Sequence, residues 1–357
     1  MVTAFMNSKQ RVMGTFNHEK VDRVPVDYAT NPTIHAKVKA ALGVTDAGLY
    51  EAFGIDFRGT LVPYKGENHF RQIEGTQVDP VYGFYTKWVE NEFGGYMDFC
   101  NFPLQDASQE EIYNFYVPSP DDFDYSFIEE YCKANKEYAI YCGHAGMADV
   151  INATGRVMGM EDTLVNLLTG DQATLDYINR RTEMELGQLE RIIWAAKGQI
   201  DFLWMGEDLG TQHSPMISLE LYREVLRPIH QRYIDLAKSY NLPVMVHTCG
   251  SSSWVYDDFI EMGVNAVDTL QPEADNMSPQ YLAQHFGTKL AFHGCISTAG
   301  PLAYGTVEEL KAQLLNTLEI MKPYRGYMMS PTHAIQDNTP VENVIALYKM
   351  AREYGTY

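Results

Sequence analysis

The feature that most constrains this chain is an alternation. From residue 201 onward, five short apolar runs (201–205, 243–247, 265–270, 289–293 and 327–330) are separated by helical stretches (218–240, 253–262, 278–286 and 306–321), and a last helix follows at 340–354. The runs are brief and bounded by turn residues, as buried strands are. Thr306 with Glu309 has the spacing of a capping box, and Pro340 suits a first helical turn. Parallel neighbours need a long crossover and antiparallel ones do not, so strand–helix alternation at this spacing predicts a parallel sheet.

Runs at 23–28, 57–62 and 138–143 add three strands upstream. Eight βα units predict an α/β fold of the closed (β/α)8 TIM-barrel type. An open doubly wound sheet is the alternative, but no Gly-x-Gly-x-x-Gly follows any strand, which weighs against dinucleotide binding. Residues 63–137 break the alternation with a strand-like piece at 81–89, the pair Gly94 and Gly95, and an acidic loop at 118–122. They read as an insertion or lid over the C-terminal mouth of a single domain spanning 1–357.

Composition excludes some functions. The formal net charge is −20 with no strong Lys/Arg cluster, so nucleic acid is not an expected partner. No apolar run approaches the length of a membrane span, and the N-terminus lacks a signal-peptide core. Five cysteines in 357 residues do not form a disulfide framework, which suits a reducing cytoplasm.

Chemistry-bearing residues collect at the expected C-terminal ends of the strands, where barrel active sites lie. They include Asp27 and Asn31, His144, Glu207 and Asp208, His247 and Cys249, Asp268 and Gln271, His293 and Cys295, and Thr332 and His333. His247 and Cys249 are two apart at the end of one strand, so they share a side. Imidazole and thiolate together suit zinc, and Cys295 at a second strand end supplies a third ligand. Gln271 is a weaker contact, and His333 competes with Cys295 for the third place. Glu207 and Asp208 face opposite ways, so one of them enters the cavity as acid, base or substrate-binding group. Asp27, Asn31, His144, Gln271 and His293 are the expected substrate-binding residues, with His333 joining Glu207 or Asp208 in catalysis. Cys100 and Cys132 read as packing residues.

Three motifs carry a resemblance over residues 10–355. They are Asp22-Arg23-Val24-Pro25-Val26, Gly206-Glu207-Asp208-Leu209-Gly210-Thr211-Gln212, and His333-x-Ile335-Gln336 with Thr339-Pro340-x-Glu342-Asn343. Together they resemble the uroporphyrinogen decarboxylase superfamily, which implies a distorted (β/α)8 barrel with its cleft at the strand C-termini. The decarboxylases of that superfamily hold their acidic tetrapyrrole with an arginine-rich N-terminal segment, where this chain has Tyr28-Ala29-Thr30-Asn31-Pro32. The other branch, zinc-dependent methyltransferases linked to corrinoids, carries His-x-Cys-x(n)-Cys. His247-x-Cys249 matches its first half. In the coenzyme M methyltransferases the last Cys falls near the position of His333, whereas here Cys295 comes one strand earlier. The resemblance therefore implies zinc on His247, Cys249 and Cys295, and methyl transfer between a small methylated substrate (an aromatic methyl ether) and the cobalamin of a partner corrinoid protein. A homodimer is compatible with it. A metal-free decarboxylase and a non-catalytic ligand-binding member are the rival expectations.

Overall fold

The computed structural model describes residues 6–92 and 95–357, so Gly94 of the expected glycine pair lies outside the described residues. The strands are β1 (Phe57–Thr60), β2 (Gln77–Val78), β3 (Tyr85–Val89), β4 (Tyr96–Cys100), β5 (Ala139–Gly143), β6 (Phe202–Gly206), β7 (Val244–Thr248), β8 (Ala266–Thr269), β9 (Ala291–Ile296) and β10 (Tyr327–Pro331). Seven of them form one curled sheet in the order β1-β5-β6-β7-β8-β9-β10, and every pairing is parallel.

Seven strands form where the sequence predicts eight. The run at 23–28 makes isolated bridges only, among them Val26 to Met329. Pro25 has no N–H to give a ladder, and the Val26 N–H bonds to the Asp56 side chain. The segment nevertheless touches both edges of the sheet. Asp27 N donates to Met329 O in β10, and Asp56 N, just before β1, donates to Val26 O.

Side chains alternate across the sheet and build two apolar layers. On one side, Phe57, Ala139, Phe202, Met245, Ala266, Ala291 and Met328 from the strands pack with Val12 and Phe16 of the helix Ser8–Phe16. On the other, residues such as Ile140, Leu203, Val246 and Val267 join the helices in the main core. With both faces covered, the strands read as continuous apolar runs.

The crossovers follow local signals. Val307–Met321 begins with the expected Thr306–Glu309 capping box. The helix expected at 218–240 forms over 219–239 with a π turn at Tyr222–Leu226, ahead of Pro228. Proline lacks the N–H that a regular turn uses there. The crossover from β5 to β6 holds the helices Ile151–Met158, Met160–Thr169 and Gln172–Ala195.

Within residues 63–137 an antiparallel sheet forms in the order β2-β3-β4. No described residue of this stretch lines the central cavity, though Phe99 of β4 touches Arg156, which does. Among the described residues no helix is long and apolar enough to cross a membrane.

Candidate metal centre

A cavity of about 350 Å³ opens at the C-terminal ends of the strands. His247 is the penultimate residue of β7 and Cys249 follows the strand, so both face the cavity as the alternation predicts. Asp208 enters from the loop after β6. Donor atoms of Asp208, His247 and Cys249 all lie within 4.8 Å of one another. Cys249 Sγ is 3.4 Å from His247 Nε2, and that nitrogen is 3.6 Å from Asp208 Oδ1.

Backbone contacts hold the two loops in register. Cys249 N donates to Asp208 Oδ1 at 3.0 Å, and Gly210 N donates to Cys249 O at 3.2 Å. The contact needs glycine. Gly250 has φ 69, and a Cβ there would collide with the backbone of Gly210. Asn152 Nδ2 donates to the other Asp208 oxygen at 2.8 Å.

Behind the donors runs a chain of carboxylates and imidazoles. Asp268 Oδ2 is 2.7 Å from His247 Nδ1, and Asp268 Oδ1 is 2.6 Å from His293 Nδ1. The Thr269 hydroxyl approaches the same His247 nitrogen at 2.6 Å, and Thr269 holds φ 86 to do so. For a β-branched residue that backbone is an outlier of the kind concentrated at functional sites. His293 Nε2 ends the chain 3.3 Å from Asp27 Oδ2.

Burial opposes ionisation of Asp268, but the charge and hydrogen bonds of His293 and His247 hold its carboxyl well below the usual range. Burial likewise opposes ionisation of Asp208, and the hydrogen bond and charge of His247 overcome it. His293 is pulled down by burial, yet Asp268 and Asp27 raise it to about 9. Burial raises the Cys249 thiol while His247 works to lower it.

Cys295 does not take the third place. Gly294 has φ 128 and Cys295 φ 68, so the strand leaves the extended conformation there. Strict alternation fails, and Cys295 turns into the core between sheet and helices while His293 faces the cavity. Burial pushes its thiol well up. Asp208 stands in the compact donor group instead, with neither Cys295 nor His333. His333 lines the cavity as an exposed side chain whose Nδ1 is 3.3 Å from Gln336 Nε2.

Glu207 and Asp208 do face opposite ways, and Glu207 is the one turned inward. It accepts hydrogen bonds from Val150 N and Ile151 N at 2.7 and 3.0 Å, anchoring the helix Ile151–Met158, and lies 3.2 Å from His230 Nε2. Burial pushes its carboxyl up to about 7. It is not a cavity residue. Asp27 and His293 line the cavity, but Asn31, His144 and Gln271 do not. Asn31 donates to Gln336, His144 Nδ1 accepts from Gly146 N, and Gln271 accepts from Gly250 N. They shape loops.

The cavity also contains Asp149, Arg156 and Trp204. Trp204 is two residues beyond Phe202 on β6, so strand alternation alone points it inward. Arg156 depends on the helix Ile151–Met158, whose fourfold spacing from Asn152 is its only local signal.

Fold and site thus define an α/β protein with a parallel curled sheet and a His/Cys/Asp group able to hold a metal at its C-terminal end. The sequence profile of uroporphyrinogen decarboxylase (URO-D) matches residues 158–354, more than half of the chain. The protein belongs to the uroporphyrinogen decarboxylase family, as its motifs led one to expect. A solved structure described as a methyltransferase from Methanosarcina mazei is similar over 98% of this chain and 99% of that one, with a TM-score of 0.68 and 16% identity. That is a likeness of fold. A xylose isomerase domain containing protein from Salmonella typhimurium aligns over 63% of this chain and 91% of its own, at a TM-score of 0.33 and 13% identity, too distant to support any argument. No curated protein matches the sequence.

Proposed function

We propose that this protein is a zinc-dependent methyltransferase that moves a methyl group between a small methylated substrate, an aromatic methyl ether, and the cobalamin of a separate corrinoid protein. The observation that carries this reading is the pairing of His247 Nδ1 with Asp268, which leaves Nε2 facing Cys249 Sγ and Asp208 Oδ1. Zinc-ligating histidines are oriented by such a carboxylate. One imidazole, one thiolate and one carboxylate fit zinc and leave a position open for substrate. The similarity of fold to the Methanosarcina mazei methyltransferase supports the reading.

Asp208, His247 and Cys249 would hold the zinc, which would supply Lewis acidity toward a heteroatom of the substrate. The chain's own residues do the rest. Asp268 holds His247, Asn152 holds Asp208, and Trp204 offers a flat apolar wall. A corrin ring is far larger than this cavity, so its carrier protein docks at the cavity opening.

Decarboxylation of an acidic tetrapyrrole fits less well. Arg156 is the single Lys or Arg lining the cavity, beside Asp27, Asp149, Asp208 and Asp268. One guanidinium cannot pair the several carboxylates of such a substrate. Zinc content tests the proposal directly. Protein purified without chelator should hold about one zinc per chain, since such sites bind tightly. Less than about a tenth of an equivalent would overturn it.

A further inference from the structure

Two ring nitrogens in the cavity wall have nothing to bond. His293 and Trp204 both line the cavity, and their ring centroids are 6.0 Å apart. Among the described residues, the buried Nε2 of His293 and the buried Nε1 of Trp204 lack a hydrogen-bond partner. The His293 side chain is almost wholly enclosed, with the residue 1% exposed. An unmatched N–H in such a place is costly and calls for a physical reason. Asp27 does not supply the partner. Its Oδ1 accepts from Tyr28 N at 2.8 Å. Its Oδ2 lies 3.3 Å from His293 Nε2, an ion-pair distance without the alignment of a hydrogen bond.

Strand register ties His293 to the donor group. His247, Asp268 and His293 stand opposite one another in a single row across β7, β8 and β9. The two histidines are thus two strand spacings apart, about 10 Å between backbones. Each turns Nδ1 toward the one carboxylate between them. Each Nε2 is left on the far side of its ring, one beside Cys249 and Asp208, the other beside Asp27. Burial pulls His293 down, but the charges of Asp268 and Asp27 raise it to about 9. The rings of Phe57 and Trp204 that pack against it carry no charge. Tyr141, packed on Trp204, is kept neutral by burial. His293 therefore carries a proton on both nitrogens at neutral pH.

We infer that His293 Nε2 and Trp204 Nε1 seat the substrate oxygen that parts from the methyl group, and that His293 gives that oxygen its proton. The inference rests on the methyl-transfer reading. Cobalt(I) of the carried corrinoid supplies the electron pair of the new cobalt–carbon bond. The methyl–oxygen bond breaks with its pair left on oxygen, and the Nε2 proton passes to that oxygen. His293 recovers a proton by way of Asp27, the more exposed of its two carboxylate partners, with side chains 12% and 5% exposed. A phenol ordinarily ionises at about pH 10, close to His293, and such a match favours proton transfer. Oxygen has two lone pairs, so a hydrogen bond from Nε2 leaves the other for the metal.

The test is a pH titration of 4-nitrophenol bound to the full chain, read by absorbance, since its neutral and ionised forms differ in colour. This phenol is acidic enough to leave the proton on His293. Bound to wild type, it should ionise at a pH at least about 1 lower than in free solution, as a close opposite charge dictates. His293→Gln should return the ionisation to the free value or above it, and Trp204→Phe should return it part of the way. Melting curves show that each variant is folded, and if one is not, the other decides. Cys249→Ser, which removes a metal ligand, should keep the lowered ionisation. No binding, an unshifted ionisation, a shift untouched in a folded His293→Gln or Trp204→Phe variant, or a shift lost in Cys249→Ser would each overturn the assignment. The two readings fail separately. A lowered ionisation in protein that binds no zinc and transfers no methyl group keeps the oxygen seat and sinks methyl transfer alone. Methyl transfer with an unshifted ionisation sinks the role of His293 alone.

Discussion

Asp268 places one carboxylate oxygen 2.7 Å from Nδ1 of His247, and thereby decides which nitrogen of that imidazole faces the cavity. The residues come from adjacent strands and are directly paired in the β7–β8 register. A partner of this kind fixes the tautomer and ring orientation of a ligating histidine.

Replacing Asp268 with Asn should therefore weaken zinc without removing any donor. The expected loss is about 10–100-fold in affinity, measured by competition with a chromophoric chelator. Unchanged affinity would show that Asp268 does not position His247.

The two cysteines near the site should part company. Cys249→Ser should lose zinc while unfolding near the midpoint of zinc-free wild type, because Cys249 is partly exposed at a loop. Cys295→Ala should keep its zinc and lose about 1–2 kcal/mol of stability, as for a truncation in a packed core. Elemental analysis with denaturant unfolding reads both. Zinc lost from Cys295→Ala would return that thiol to the ligand set.

Glu207→Gln should be a stability variant. The carboxyl accepts from two backbone N–H groups, and an amide has a single acceptor oxygen, so one buried donor is left unmatched. The cost is about 1–3 kcal/mol, visible as a lower urea midpoint. If stability holds and only turnover falls, Glu207 acts in the chemistry after all.

The acid limb of stability should depend on Asp22. Burial raises its carboxyl, but the paired hydrogen bonds and charge of Arg11 more than reverse this, and its pKa is lowered. A carboxyl with a folded-state pKa below its unfolded value stabilises the fold above the unfolded value of about 3.9, and that contribution disappears as pH falls through the lower folded value. Asp22→Asn should thus be less stable than wild type at pH 7. The gap should close below about pH 3, as read from unfolding midpoints against pH. A gap of constant size would mean that Asp22 acts by shape rather than charge.

Much of the scaffold was legible in order. The runs at 201–205, 243–247, 265–270, 289–293 and 327–330 all become parallel strands, with ends shifted by at most three residues. Strand period, crossover length and capping boxes are local properties, so the order of residues carries them. The run at 23–28 misled because its apolar pattern is real while Pro25 denies it a ladder.

What the sequence determined by itself is the family, the parallel sheet, and the shared side of His247 and Cys249, since two residues on one strand need only the pleat to align them. The tertiary structure decided the rest of the site. It turned Cys295 into the core through a left-handed backbone at Gly294 and Cys295, brought Asp208 beside His247 and Cys249 across a loop contact at Gly250, and set Asp268 behind His247. Those outcomes depend on φ angles and on contacts between separate strands, and neither is encoded in the spacing of any one segment.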